Sequence, residues 1–374
     1  MKIAVLGTKG IPNNYGGFEQ FAEYLAIGLV KKGHDVTVYN PHYHPYNETR
    51  FHDVTIKRVY SPEKYLGSAA NFWYDYLCLK DALTQGYDLI YEAGYHSVAP
   101  SYAILNIKDK ARPLIITNMD GLEWMRSKWN YLTRKLIRKL ETIAVNNSHF
   151  LISDNLGIQL YYQNTFNKES FFIPYGADLI DEFRPEDLQS TGLVPYGYYL
   201  LIARLEPENN IEMILDGYVQ STKILPICII GNTNSRYGQY LVNKYKDIDI
   251  RFLGAIYNKP LLDSLRHFSQ IYFHGHSVGG TNPSLLEAMA CNCFIVAHDN
   301  QFNKSVLQEN ALYFLDYRNI KVILEQEKTL RSAHFNPFTQ GNETKIKNIY
   351  NWDSVVTQHE LLFEKLIATQ RLRS

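Results

Sequence analysis

Twice in this sequence a short apolar run ends on a flexible loop that opens directly into an amphipathic helix, and this repeated unit restricts the possible folds most. Residues 2–6, KIAVL, run continuously apolar up to Gly7, the pattern of a strand covered on both faces. The loop TKGIPNNYGG follows, then FEQFAEYLAIGLVKKG, in which Phe18, Phe21, Leu25 and Leu29 recur at helical spacing and Gly33 ends the helix. DVTVYN supplies the next strand. The pattern restarts near residue 198: YYLLIA is a strand, RLEPENN a loop, IEMILDGYVQ a helix and PICIIG a strand. RFLG, the helical LLDSLRHF, QIYFHG and CFIVA continue the series. Strands alternating with helices predict parallel, doubly wound sheets, and two such series predict an α/β chain with a cleft between two sheets.

At 374 residues the chain exceeds what one hydrophobic core usually organises. The joint falls in FFIPYGAD (171–178), an apolar strand broken by Pro174 and Gly176. The expected division is therefore 1–177, 178–352 and 353–374, the last a helix carrying Val356, Leu362, Leu366 and Ile367.

Composition narrows the function classes. Lys+Arg and Asp+Glu balance at 38 each, so no global basic field argues for nucleic acid. The four cysteines, Cys78, Cys228, Cys291 and Cys293, show no CxxC spacing and read as the reduced thiols of a cytoplasmic protein. MKIAVLGTKGIP reads as a buried strand rather than a signal peptide, and no apolar run is long enough to span a membrane. Tyrosine is abundant, at 29 residues. A Tyr ring packs on a pyranose face while its hydroxyl bonds the edge, although any one Tyr is equally well a core residue.

Neither half carries a dinucleotide fingerprint. The first turn reads G-T-K-G-I-P rather than GxGxxG, and the second strand ends in Tyr39-Asn40 without an acidic residue for a ribose. Two glycine-to-helix junctions stand out instead: Gly16-Gly17, and Gly279-Gly280-Thr281-Asn282 within GHSVGGTNPSLLEAM (275–289). Helix N-termini offer unpaired N–H groups and a partial positive charge, so a diphosphate suits both, while either junction alone is equally a plain turn. Asn282 can cap, and Pro283 suits the first helical position. Glu287 lies about one turn further on, in an otherwise apolar run, LLEAMACNCFIVA. A carboxylate there needs a partner, and it could accept hydrogen bonds from both hydroxyls of a ribose.

Five motifs in order, GTKGIPNNYGGFEQFAEYLA, TNMDGLEWMRSKW, IPYGAD, ARLEPENNIE and GGTNPSLLEAM, resemble glycosyltransferase family 4, and within it the rhamnosyltransferase-like subgroup of bacterial polysaccharide biosynthesis. The resemblance covers nearly the whole chain. It implies a GT-B fold of two Rossmann-like domains, the first binding an acceptor and the second a nucleotide sugar, with the C-terminal helix crossing back to the first. It further implies retaining, metal-independent transfer of a hexosyl group, L-rhamnose from dTDP-rhamnose or else a sugar from a UDP donor, to a lipid-linked saccharide. No cofactor beyond the donor substrate is implied. Arg204 matches the basic residue at the donor diphosphate, and Asn209 stands where the family usually has a Lys. Glu287 matches the second glutamate of E-x7-E, and Gly279 stands where the first would be. Arg236 is a candidate replacement for the lost positive charge.

Asp120 and Glu123 follow the apolar PLIIT run, at the edge where α/β sites lie, and are the catalytic candidates. Either could orient or deprotonate an acceptor hydroxyl or stabilise oxocarbenium charge. Asp120 could equally cap the helix that follows. Tyr95 and His96 are the acceptor candidates. The DxD sequence Asp247-Ile248-Asp249 precedes a strand and reads as a surface turn, and the HxH pairs His42/His44 and His274/His276 lack the company of a typical metal site. No metal is expected. Residues 124–140 hold Arg126, Lys128, Arg134, Lys135, Arg138 and Lys139 with Trp124, Trp129, Leu132, Leu136, Ile137 and Leu140 and no acid, a pattern suited to an anionic membrane surface or to an ordinary solvated helix. Two rival functions remain: a sugar-nucleotide epimerase of the same architecture, and a non-catalytic nucleotide-sugar-binding protein.

Overall fold

The computed structural model describes residues 1–14, 16–109, 113–119, 121–180, 182–222, 225–246 and 248–372. The chain divides into two units, the first made of Met1–Trp124, Trp129–Tyr175 and Trp352–Ser374, the second of Met125–Lys128 and Gly176–Asn351.

In the first unit the strands are β1 (Lys2–Leu6), β2 (Asp35–Pro41), β3 (Arg50–Phe51), β4 (Val54–Val59), β5 (Leu89–Glu92), β6 (Leu114–Asn118), β7 (Phe150–Ser153) and β8 (Phe171–Phe172), ordered β3-β4-β2-β1-β5-β6-β7-β8. All pairings are parallel except β3 with β4. Ile3, Ala4, Val5, Ile90, Tyr91, Ile115 and Ile116 are wholly buried, as continuous apolar runs between two helical layers must be. Helix Trp352–Arg371 belongs to this unit. It approaches helix Gly17–Lys31 so closely that a Cβ on Gly28 would fall 2.6 Å from a Val356 methyl. Trp352 stacks on Tyr24 with centroids 4.3 Å apart and planes at 11°.

The second unit holds β9 (Tyr199–Ile202), β10 (Ile227–Ile230), β11 (Ile250–Gly254), β12 (Ile271–His274), β13 (Ile295–His298) and β14 (Leu312–Phe314), ordered β11-β10-β9-β12-β13-β14 and parallel throughout. In order along its own chain this is 3-2-1-4-5-6, the Rossmann arrangement, with the switch point between β9 and β12. Its core gathers Tyr199, Leu201, Ile214, Leu215, Ile229 and Phe273. Helix Tyr317–Glu325 closes on helix Ile211–Gln220 at Gly217, where a Cβ would lie 2.5 Å from that of Ile320. The first unit repeats the logic, since β1 and β5 are neighbours and the chain turns outward from them on either side.

Candidate functional site

In open α/β sheets ligands bind beyond the carboxyl ends of the strands, at the switch point. In the second unit the two loops that meet there, after β9 and after β12, carry the residues singled out above. They are locked together. Asn210 Nδ2 donates to the Gly275 carbonyl (2.7 Å), and the Ser277 amide and hydroxyl both donate to the Glu208 carbonyl, at 3.1 and 2.8 Å. A Cβ on Gly275 would sit 2.0 Å from the Asn209 carbonyl oxygen, so only glycine lets the loops close. Arg204 is exposed at this edge. Asn209 is buried, and its amide donates to the Arg204 carbonyl (2.7 Å), so it braces the loop. Arg236 is exposed at the start of helix Arg236–Lys244.

Asn282 caps helix Pro283–Ala290, its Oδ1 accepting from the Ser284 amide (2.9 Å), with Pro283 at the first position. Gly279 has φ +138 with open space where a Cβ would stand, while Thr281 is buried. Of Gly280 the structure records an intermediate exposure. Glu287, half-buried, finds the partner that its apolar surroundings demand: Arg266 Nη2 reaches its Oε2 at 2.5 Å, and Arg266 Nη1 reaches Asp263 Oδ1 at 3.3 Å. Arg266 is 3% exposed, and burial pulls its pKa down, but Glu287, Tyr272, Cys291 and Asp263 together outweigh this and hold it above the ordinary value. The sequence held no signal for that pairing, because helix Lys259–His267 carries Arg266 on an independent element.

The same edge carries three rings in a column. Tyr272, His274 and His276 alternate along one face of β12 and its extension, with centroids 6.5 Å apart for the first pair and 4.5 Å for the second. Burial, then the charges of Arg204 and Arg126, lower the His276 pKa to about 3, with Glu208 opposing, and burial also drives His274 well below the usual imidazole range. Both rings are therefore neutral at physiological pH.

In the first unit, Gly16 has extended backbone and Gly17 begins the helix. Glu19, two residues further on, is 3% exposed, and its carboxylate accepts the Lys9 amide at 2.8 Å. Burial pushes its pKa up, while the N–H groups of Lys9, Glu19 and Gly16 oppose this. The junction read from sequence as an anion cradle thus already holds an anion from its own helix. Asn40, at the end of β2, braces the first loop by accepting the Ile11 amide (3.1 Å) and donating to its carbonyl (2.7 Å). Under the same loop, Glu92 ends β5 wholly buried, and a Cβ on Gly7 (φ +81) would lie 3.2 Å from its Oε2. Neither Glu19 nor Glu92 stood out in the sequence, because isolated glutamates are common on surface helices and strand ends.

Tyr95 is 0% exposed, stacked on His96 at 4.2 Å, so its ring is core and only the half-buried His96 is partly open. Glu123 opens the short turn Glu123–Met125 and accepts the Trp129 indole N–H at 3.0 Å. Asp120 lies outside the described residues, as does Asp247 of the DxD sequence. Asp249 is a surface residue 3.7 Å from Arg251. Among the described residues His34, Glu360 and Glu364 are grouped closely enough to hold a metal ion, but Glu360 is already paired with Lys32 at 2.8 Å.

The basic segment divides. Asn130 caps helix Tyr131–Asn147, Ile137 and Leu140 pack inward, and Tyr131, Leu132 and Leu136 stay exposed beside Lys135, Arg138 and Lys139. Trp124 carries the Arg138 guanidinium over its ring at 5.0 Å. No described helix is long and apolar enough to cross a membrane.

Residues 1–178 match the family described as a domain of unknown function, DUF1972, and residues 184–328 match that described as glycosyl transferases group 1. An uncharacterised glycosyltransferase of Methanocaldococcus jannaschii is 25% identical over 182 residues, a match spanning 44% of this chain and 44% of that protein. Among solved structures, sucrose-phosphate synthase from Thermosynechococcus elongatus has a TM-score of 0.77 at 16% identity, over 98% of this chain and 99% of that one. HepE of Anabaena, in complex with UDP and glucose, has a TM-score of 0.74 at 16% identity, over 98% of this chain and 100% of that one. The chain has the GT-B fold, and its residues 184–328 are similar to the group 1 glycosyl transferases.

Proposed function

We propose that this chain is a glycosyltransferase that moves a sugar from a nucleotide donor bound in the second unit to a hydroxyl of an acceptor. The observation that carries this is the meeting of the loops after β9 and β12 at the switch point, within residues similar to the group 1 glycosyl transferases. In this reading Arg204 and the backbone of Gly279, Gly280, Thr281 and Asn282 receive the diphosphate and sugar. Glu287 takes the ribose through Oε1, the oxygen that Arg266 does not engage. Asn209 contributes by holding the loop.

The finer terms rest on the sequence resemblance: L-rhamnose from dTDP-rhamnose as donor, a lipid-linked saccharide of cell-surface polysaccharide assembly as acceptor, retention of configuration, and no metal. Gly279, where relatives have a glutamate, fits a deoxysugar with fewer hydroxyls to hold. Asp120 and Glu123 are assigned to acceptor activation, and His96 to the acceptor side. The protein would work in the cytoplasm, in peripheral contact with the membrane.

The test incubates the full chain with dTDP-rhamnose or UDP-hexoses and a lipid-linked saccharide, following products by mass spectrometry. Transfer from dTDP-rhamnose that persists in EDTA is expected. Preference for a UDP-hexose would sink the rhamnose assignment. A donor converted without acceptor would make the chain an epimerase, and donor binding without turnover a binding protein.

A further inference from the structure

Buried polar atoms are almost always hydrogen-bonded, so a local group of exceptions marks a place where something outside the chain supplies the partner. His274 Nδ1 and Nε2, His276 Nδ1 and Glu208 Oε1 are four such atoms, and all lie at the switch point of the second unit. Among the described residues, the column Tyr272–His274–His276 finds a side-chain hydrogen bond only at its base, where Tyr272 Oη shares one with Ser284 Oγ at 2.9 Å.

The upper end is held from every side. The Gly275 carbonyl accepts from Asn210, the His276 carbonyl accepts from Asn300 Nδ2 (3.0 Å) and Asn303 Nδ2 (2.9 Å), and Ser277 is fixed to the Glu208 carbonyl. Asn300 is itself the cap of helix Gln301–Leu307. His274, 1% exposed, lies flat against the His276 ring with planes at 17°. The imidazole of His276 is thus preorganised, and its ordering cost is met before any ligand arrives.

The charged groups facing His276 are Arg204 and Glu208 from the loop after β9, and Arg126 from residues 125–128. Glu206, 4.0 Å from Arg126, answers that guanidinium, and Arg204, exposed at the edge, is the positive charge placed beside the ring for an anion. A neutral imidazole beside that charge still presents one N–H donor.

We propose that His276 is a donor-contacting specificity residue whose ring N–H hydrogen-bonds the diphosphate of a nucleoside diphosphate beside Arg204, with His274 stacked behind it as its positioning residue. This rests on the reading of the second unit as the donor site. A hydrogen bond to a charged group of this kind is worth about ten- to a hundredfold in affinity.

Titration calorimetry of the full chain with UDP and dTDP, and with uridine and thymidine lacking the phosphates, tests it. His276→Phe keeps an aromatic ring in the stack and removes both nitrogens; His276→Gln keeps an amide donor and provides the same comparison should the Phe variant fail to fold, as judged by its unliganded melting. The expected result is a diphosphate affinity at least about tenfold weaker in His276→Phe, nucleoside affinity unchanged, and partial recovery in His276→Gln. Diphosphate binding equal to the wild type, or an equal loss for diphosphates and nucleosides, would overturn the inference and leave the donor site standing. Failure of the wild-type chain to bind any nucleoside diphosphate would overturn the donor-site reading and, with it, the role of His276.

Discussion

Glu92 illustrates what burial does to a single residue. Its carboxyl is 0% exposed, and neither oxygen has a hydrogen-bond partner among the described residues. Burial, and then the nearby Asp75 carboxyl, push its pKa well above the ordinary 4.5. Asp75 is itself raised to about 6 by burial, with the Ser97 hydrogen bond and the Lys9 charge opposing. A carboxyl that is neutral when folded and ionised when unfolded makes the folded chain bind more protons. Stability therefore falls as pH rises above the unfolded value, until the buried group ionises too. The histidines act in the opposite sense. His276 at about 3 and His359 at about 4 destabilise only below the ordinary 6.5, where the unfolded chain takes up protons that the folded chain refuses. Glu92→Gln removes the carboxylate cost alone, so its melting temperature relative to the wild type should climb between about pH 5 and about pH 8. A difference that stays constant across that range would show that Glu92 is ionised in the fold.

Among the elements, helix Tyr131–Asn147 has a divided character. Ile137, Leu140, Ala144 and Val145 face the core, and Glu141 is buried accepting the Tyr161 and Tyr162 hydroxyls, each at 2.9 Å. The opposite side exposes Leu132 at 75% and Leu136 at 55% among Lys135, Arg138 and Lys139. Apolar side chains ringed by cations suit the surface of an anionic bilayer, where each basic residue contributes about 1 kcal/mol. The full chain should float with phosphatidylserine vesicles at low salt, and the double variant Lys135→Glu, Lys139→Glu should bind about tenfold less or weaker still. No flotation of the wild type, or none of the expected loss, would leave the helix an ordinary solvated one.

For the whole molecule, the placement of helix Trp352–Arg371 in the first unit makes that unit depend on the end of the chain. Val355, Val356, His359, Phe363, Leu366 and Ile367 are buried there, with His359 edge-on to Phe21 at 5.5 Å and to Tyr91 at 5.6 Å. Each large apolar side chain buried stabilises by about 1.5–3 kcal/mol, and several together equal the ~5–15 kcal/mol net stability of a typical domain. A chain ending at Asn351 should therefore lose the melting transition of the first unit and become protease-sensitive within residues 1–175, while the second unit keeps its own transition. Wild-type melting of that truncated chain would show that the helix is dispensable.

The sequence by itself determined the architecture: apolar runs bounded by glycine, helical spacing at Phe21, Leu25 and Leu29, and the Asn282–Pro283 cap are local patterns, and they specified strands, helices and two doubly wound sheets. It also marked the two loops of the donor-site candidate, because glycine and cap chemistry is local. Local patterns do not name distant partners, and those were decided only by the tertiary structure. Strand order brought Arg204 and Asn209 beside Gly275–Asn282. The same folding gave Glu287 its partner in Arg266, placed Glu19 in the Gly16-Gly17 junction, put Tyr95 in the core and stacked His274 on His276. Spacing along the chain sets which face a residue occupies, whereas desolvation and charge pairing depend on whatever the opposite element carries, and they settle which of those residues can act.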